Sequence, residues 1–232
     1  MILFMGRMAV IICSPHNPVG RVWTEEELLQ LGDLCIKYNV IVVSDEIHQD
    51  FVFKGKHSVF AGLREEHLKL SITCTSPSKT FNLAGMQLSN IFIPDEELRK
   101  NFLLQLNVAG ISHVGIMGIV ACEAAYRYGE EWYRAMLSYV RNNIETTRKF
   151  VGEELPGVRM ANLEGTYLAW LDFNGTGLDA QELNQRMIHR AKLWLNEGKI
   201  FGEGGQGFER INVACSRSVL IEALHRIKKA LE

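Results

Sequence analysis

The chain has 232 residues, 47% hydrophobic and 22% charged, with a formal net charge of −2. That balance suits a globular chain with a sizeable core and one large or two smaller domains, and it offers no electrostatic footprint for nucleic acid or an anionic membrane surface. No apolar run approaches the roughly 18 residues of a bilayer-spanning helix, and Met1-Ile2-Leu3-Phe4-Met5-Gly6-Arg7 lacks the basic start, long apolar stretch and cleavage site of a secretory signal.

Met8 to Cys13 is a continuous apolar run that predicts a strand, closed by the turn-rich Ser14-Pro15-His16-Asn17-Pro18-Val19-Gly20-Arg21. Thr24 and Glu27 have the spacing of a capping box. Leu28, Leu31, Leu34 and Cys35 then recur at helical spacing and predict a core-facing stripe. Val40 to Ser44 predicts a second apolar strand, ending at Asp45-Glu46-Ile47-His48. Strand, helix and strand of these lengths, apolar on both faces, belong to a parallel sheet covered by helices. Leu70 to Cys74 predicts a third strand and Leu88 to Ile93 a fourth.

Helices are predicted over 96–108, 114–127 and 130–155, the last ended by Pro156-Gly157. After them come a strand over 166–173, a helix over 179–191, a loop over 203–207, a strand over 208–214 and a closing helix over 217–231. The fold class is α/β: a mainly parallel sheet within residues 1–140 and a smaller α+β domain over 141–232, entered through the long helix. Cys13, Cys35, Cys74, Cys122 and Cys215 are scattered and form no CxxC pair, which points to small core thiols in the reducing cytosol. The histidines show no metal-ligand spacing.

Ligands of open α/β sheets sit beyond the carboxyl ends of the strands. Polar clusters around Asn17, Asp45 and Lys79 all fall at such ends, which is the physical argument for an active site. Lys79 is the most unusual member, set behind Ser76 and Ser78 just past a buried strand, because lysine is seldom buried. Taken singly, Asp45 reads equally well as a cap and Asn17 as a turn residue.

In order, Ser14-Pro15-His16-Asn17-Pro18-Val19-Gly20-Arg21, Ser44-Asp45-Glu46-Ile47-His48, Ser76-Pro77-Ser78-Lys79 and Arg210-Ile211-Asn212 resemble the motif set of fold type I, pyridoxal-phosphate-dependent class I/II aminotransferases. With Thr80-Phe81-Asn82-Leu83-Ala84-Gly85 they are most similar to the MalY/PatB-like cystathionine β-lyase branch. The resemblance implies pyridoxal 5'-phosphate as cofactor, an amino-acid substrate and a homodimer. It implies that Lys79 attaches the cofactor and then removes the Cα proton, that Asp45 pairs with the pyridine nitrogen, and that Asn17 donates to the ring oxygen. Ser76 and Ser78 are expected to bind the phosphate, and Arg210 the substrate carboxylate, a planar bidentate task. His48 is a candidate cofactor-binding residue, standing where many aminotransferases carry a tyrosine that bonds the ring oxygen, and Gln87 stands where many carry a phosphate-binding arginine; both departures favour the lyase. Residues 1–140 become the C-terminal part of the cofactor-binding large domain. The resemblance also implies a family portion preceding the first strand, which supplies part of the phosphate site; a chain without it is expected to bind cofactor poorly and turn over little. The expected activity is C–S β-elimination. Transamination is the nearest rival, and a catalytically impaired fragment the second.

Overall fold

A computed structural model describes residues 2–4, 7–111 and 113–232. The chain forms two compact units: Met1–Pro15 with Val22–Arg134, and His16–Arg21 with Ala135–Glu232.

The first unit is built on five strands lying side by side in chain order: β1 (Ile2–Phe4), β2 (Arg7–Cys13), β3 (Ile41–Asp45), β4 (Ser71–Thr75) and β5 (Asn90–Phe92). The three central strands are parallel, and β1 and β5 run antiparallel at the edges. In register, Asp45 stands opposite Cys13 on one side and Cys74 on the other, so three strands end level with one another.

Helix α1 (Glu25–Lys37) begins with the expected capping box: Thr24 Oγ1 accepts from the Glu27 amide, and the Glu27 carboxylate accepts from the Thr24 amide. These two bonds satisfy donors that an uncapped helix leaves orphaned. Leu28 and Cys35 join Ile12, Val42, Phe60 and Leu70 in one core layer, with Leu31 partly buried. Leu34, expected in that stripe, is 54% exposed. The buried arc instead runs through Gly32, because the His67 ring of α2 (Glu65–Leu68) lies where a Cβ at that glycine would stand, 2.2 Å from Nε2. His67 is stacked on Phe60 with ring centroids 4.7 Å apart. On the other sheet face, Ile41, Ile72 and Ile93 pack with Leu98 of α4 (Glu96–Val108).

The remaining helices of this unit are α3 (Pro77–Thr80), a single turn, and α5 (Ile116–Tyr128); α6 (Glu130–Glu154) starts here. The fourth strand is shorter than predicted, since a 3₁₀ turn over Ala84–Met86 and a left-handed Gln87 delay it to Asn90. Edge strand β1 was not anticipated from the sequence.

The second unit carries an antiparallel sheet in the order β6 (Arg159–Met160), β7 (Leu168–Asp172), β9 (Phe208–Asn212) and β8 (Asn196–Glu197). The expected helix over 179–191 divides into α7 (Ala180–Gln185) and a π-helical turn over Arg186–Arg190. The wide turn shows in the Ala191 amide, which bonds Arg186 O, while the Arg186 guanidinium reaches the Ala230 and Leu231 carbonyls. Helix α8 (Arg217–Leu231) buries Leu220, Leu224 and Ile227, the i, i+4, i+7 stripe of an amphipathic helix. Arg217 opens α8 and donates to Asn143, as a residue of that helix start rather than of the Arg210 strand.

Among the described residues no helix is long and apolar enough to cross a membrane, and no group of three or more metal-ligating side chains forms. Among the described residues no disulfide forms; Cys35 is buried in one core layer and the half-buried Cys74 packs against the other, whereas Cys13, Cys122 and Cys215 are only partly buried.

Candidate active site

Asp45 is the last residue of β3. Its Oδ1 accepts from the Ile47 amide at 3.1 Å, an Asx turn rather than the helix cap its type suggests in isolation. Oδ2 accepts no hydrogen bond among the described residues. The turn that follows buries His48, whose ring meets Phe51 edge-on with centroids 6.3 Å apart.

Lys79 lies on α3, one strand over and directly past the end of β4. A four-residue helix does not hold itself, since nucleation outweighs the bonds of one turn. Side chains secure it instead. Ser76 is its N-cap, taking the Ser78 amide on Oγ at 3.1 Å and contacting Leu88 O at 2.7 Å and Ser78 Oγ at 2.9 Å. A hydroxyl has one hydrogen and a carbonyl can only accept, so Ser76 donates to Leu88 and Ser78 donates to Ser76. Both serine hydrogens are therefore engaged, that of Ser78 on Ser76 and that of Ser76 on the Leu88 carbonyl. At the other end, Thr80 Oγ1 donates to Asp50 Oδ2 at 2.6 Å, and Phe81 packs among Tyr126, Trp132 and Tyr133. Lys79 itself, half-buried, makes no hydrogen bond or ion pair among the described residues. Burial, then Asp50 and Cys122, push the Tyr126 hydroxyl up to about 12.

Beneath these turns lies a polar network that the sequence reading missed. Glu46 is 1% exposed; its carboxylate accepts from Ser44 Oγ at 2.8 Å and the Phe60 amide at 3.3 Å, and meets His57 Nε2 at 2.9 Å. A buried carboxylate needs such partners. This one ties the loop over 51–60 to the end of β3. The one signal available was an acid placed next to Asp45, immediately after a buried strand.

In the second unit, Asn17 and Arg210 meet directly: Arg210 Nη1 donates to Asn17 Oδ1 at 2.5 Å. Nη2 donates to Asn196 Oδ1 at 2.7 Å, and the guanidinium stacks on Phe201, 4.7 Å from the ring centroid. The Asn17 loop is held by Gly20, which has φ +77° and whose carbonyl takes the Glu164 and Gly165 amides. A Cβ there would lie 2.1 Å from Leu163 Cδ1, so only glycine fits. Two of the five guanidinium N–H groups are used in this way; Nε is buried with no hydrogen-bond partner. Burial lowers the Arg210 pKa.

The donor set matches the chemistry of pyridoxal phosphate and an amino acid. A carboxylate oxygen without a donor suits a protonated ring nitrogen, a primary amine without a partner suits an aldehyde, and a buried guanidinium edge suits a carboxylate. The serines fit a phosphate less readily, since both hydroxyl hydrogens are already engaged.

On the other face of β9, Glu209 is 1% exposed and its Oε1 has no hydrogen-bond partner. Burial pushes its carboxyl from 4.5 up to about 7, with Glu197 adding to the rise and Lys199 opposing it. The folded chain therefore holds a proton that the unfolded chain releases near its ordinary value, and stability falls as pH rises between those two points. The loss amounts to at most about 3 kcal/mol. Glu209→Gln removes the titration, so its melting temperature relative to wild type is expected to rise by several degrees between pH 5 and pH 8. Parallel melting curves at both pH values for the two proteins would contradict the assignment.

The chain belongs to the family described as aminotransferase class I and II, whose model matches residues 5–227. It is 45% identical over 222 residues to cystathionine β-lyase PatB of Bacillus subtilis, covering 95% of this chain and 57% of that protein. It is 36% identical to a cystathionine β-lyase of Corynebacterium glutamicum, covering 97% of this chain and 60% of the relative. The crystal structure of cystalysin from Treponema denticola, which contains a pyridoxal 5'-phosphate cofactor, superposes with a TM-score of 0.94 at 39% identity, over 97% of this chain and 58% of that one. The fold is thus the α/β architecture of fold type I. The chain spans a little under two thirds of the length of the relatives it matches.

Proposed function

We propose that this chain carries the site of a pyridoxal-phosphate-dependent C–S β-lyase, which converts cystathionine or cysteine and water to a thiol, pyruvate and ammonia. The observation that carries the reading is the placement of Asp45 at the end of β3 and of Lys79 on the turn that follows the adjacent parallel strand β4, in a chain 45% identical to a cystathionine β-lyase. Residues 1–140 are then the cofactor-binding part, and 141–232 the smaller domain.

Pyridoxal phosphate, when bound, supplies an electron sink conjugated to the substrate's amino group. Asp45 Oδ2 holds a proton at the ring nitrogen, which keeps that sink effective. Asn17 uses its Oδ1 to orient Arg210, leaving its Nδ2–H groups to donate to the ring oxygen. Arg210 binds the α-carboxylate through Nε and its remaining Nη hydrogens, and so fixes which Cα bond is activated. Lys79 Nζ would hold the cofactor's aldehyde carbon and serve as the base for the Cα proton. His48, buried in the turn after Asp45, would face the ring oxygen in the place of the family's tyrosine. Ser76 and Ser78 order the Lys79 turn, and their hydroxyls would hold the phosphate only by giving up the bonds they make in this structure. A homodimer in the cytosol belongs to the same reading.

The experiment is an assay of cystathionine and of cysteine with cofactor but no keto acid. Pyruvate and thiol released in equal amounts are the expected result. Turnover that begins only when a keto acid is added would make the protein an aminotransferase instead.

A further inference from the structure

We propose that Asp50 is a positioning residue for Lys79, acting through Thr80, so that one carboxylate couples the two turns on which the chemistry depends. This rests on the reading of Lys79 as the group that carries and deprotonates.

The Lys79 turn is four residues long, too short to be stable alone. Its serine anchor acts at its first residues, on the far side of Lys79 from Phe81. Immediately after Lys79, the Thr80 side chain is 2% exposed, and its hydroxyl goes to Asp50 Oδ2 at 2.6 Å. Hydroxyl-to-carboxylate bonds of that length are charge-assisted and about twice as strong as neutral ones.

Asp50 is itself held. It closes the tight turn after Asp45, in which Gln49 N bonds Glu46 O and Phe51 N bonds His48 O. Its carbonyl also accepts the Tyr133 hydroxyl at 2.6 Å. The Tyr133 ring stands 6.4 Å from Phe81, so the same tyrosine braces both ends of the link. A shift of the Asp45 turn is therefore transmitted to Lys79 through one hydrogen bond, and the reverse holds. The loss of that bond leaves Lys79 on its backbone turn but frees its direction, and misplacement of a reacting group by about 1 Å costs around 100-fold.

The test uses Thr80→Val, which keeps shape and removes the donor, with Thr80→Ser as the conservative rescue. Two readouts are taken. Without cofactor, amide hydrogen exchange across residues 78–81 is expected to quicken about tenfold in Thr80→Val and to return to the wild-type rate in Thr80→Ser. With cofactor, kcat is expected to fall 10- to 100-fold with KM changed less than threefold, together with a smaller induced circular dichroism per bound cofactor; Thr80→Ser restores both. Unchanged exchange and unchanged kcat in Thr80→Val overturn the proposal. If the exchange effect is present but wild-type protein gives no Lys79-dependent cofactor signal, the positioning role is overturned through failure of the lyase reading, and the link is structural. Should Thr80→Val fail to fold, Asp50→Asn replaces it: the amide oxygen still accepts but without charge, and a kcat between wild type and a fivefold loss is expected, whereas a full wild-type kcat overturns the proposal.

Discussion

Lys79→Ala is expected to lower the rate of β-elimination by about 10³–10⁴-fold, the upper part of the range for a lost general base. The reason is local and chemical. Among the described residues no neighbouring amine takes over, because the side chains that hold the Lys79 turn are hydroxyls, a carboxylate and aromatic rings. The fold should scarcely notice, since Lys79 makes no hydrogen bond or ion pair among the described residues. Melting temperature and far-ultraviolet circular dichroism close to wild type are therefore part of the expectation. Lys79→Arg should be as inactive, because a guanidinium does not release its proton in this pH range. Added methylamine should restore part of the Ala variant's rate by supplying the missing base. A variant that kept more than a tenth of wild-type turnover would remove Lys79 from the mechanism.

The second large effect falls on Arg210. Truncation to Ala is expected to reduce kcat/KM by about 10²–10³-fold, the loss of a desolvated charge pair worth about 3–4 kcal/mol. The guanidinium is pinned by Asn17, Asn196 and the face of Phe201, so its remaining edge is already aimed before substrate arrives. Such preorganisation makes Arg210→Lys a poor substitute, because a single ammonium cannot reproduce the planar fork. The decisive comparison uses a substrate analogue lacking the α-carboxylate. Wild type and Arg210→Ala should bind it equally weakly, whereas a difference between them would give Arg210 some other task.

Legibility of the fold followed sequence locality. The start of α1 was readable because Thr24 and Glu27 complete their reciprocal bonds within four residues, and α8 because its buried stripe repeats at a fixed helical interval. The Lys79 turn stood out because a lysine, two serines and a proline lie within one short segment. Features made by distant residues were not readable. Glu46 is satisfied by His57 and Phe60, Thr80 by Asp50, and Asn17 by Arg210, 193 positions away. No periodicity encodes such pairings. Strands β6 and β8, two residues each, exist through the ladders they make with β7 and β9 rather than through their own composition. The division of the 179–191 helix depends on the Arg186 guanidinium reaching the last turn of α8, a tertiary contact that intrinsic helix propensity cannot foresee. The candidate site was legible as a list of residue types in order; its supporting partners, Glu46, Asp50, Asn196 and Phe201, came only from the structure.

The most direct measurement is the visible absorbance spectrum of the purified chain with added pyridoxal phosphate, recorded beside Lys79→Ala. A new band in wild type, distinct from free cofactor and missing from the variant, is the expected result. Identical spectra for the two proteins would contradict it, and would leave Lys79 without the covalent role on which the proposed lyase chemistry depends.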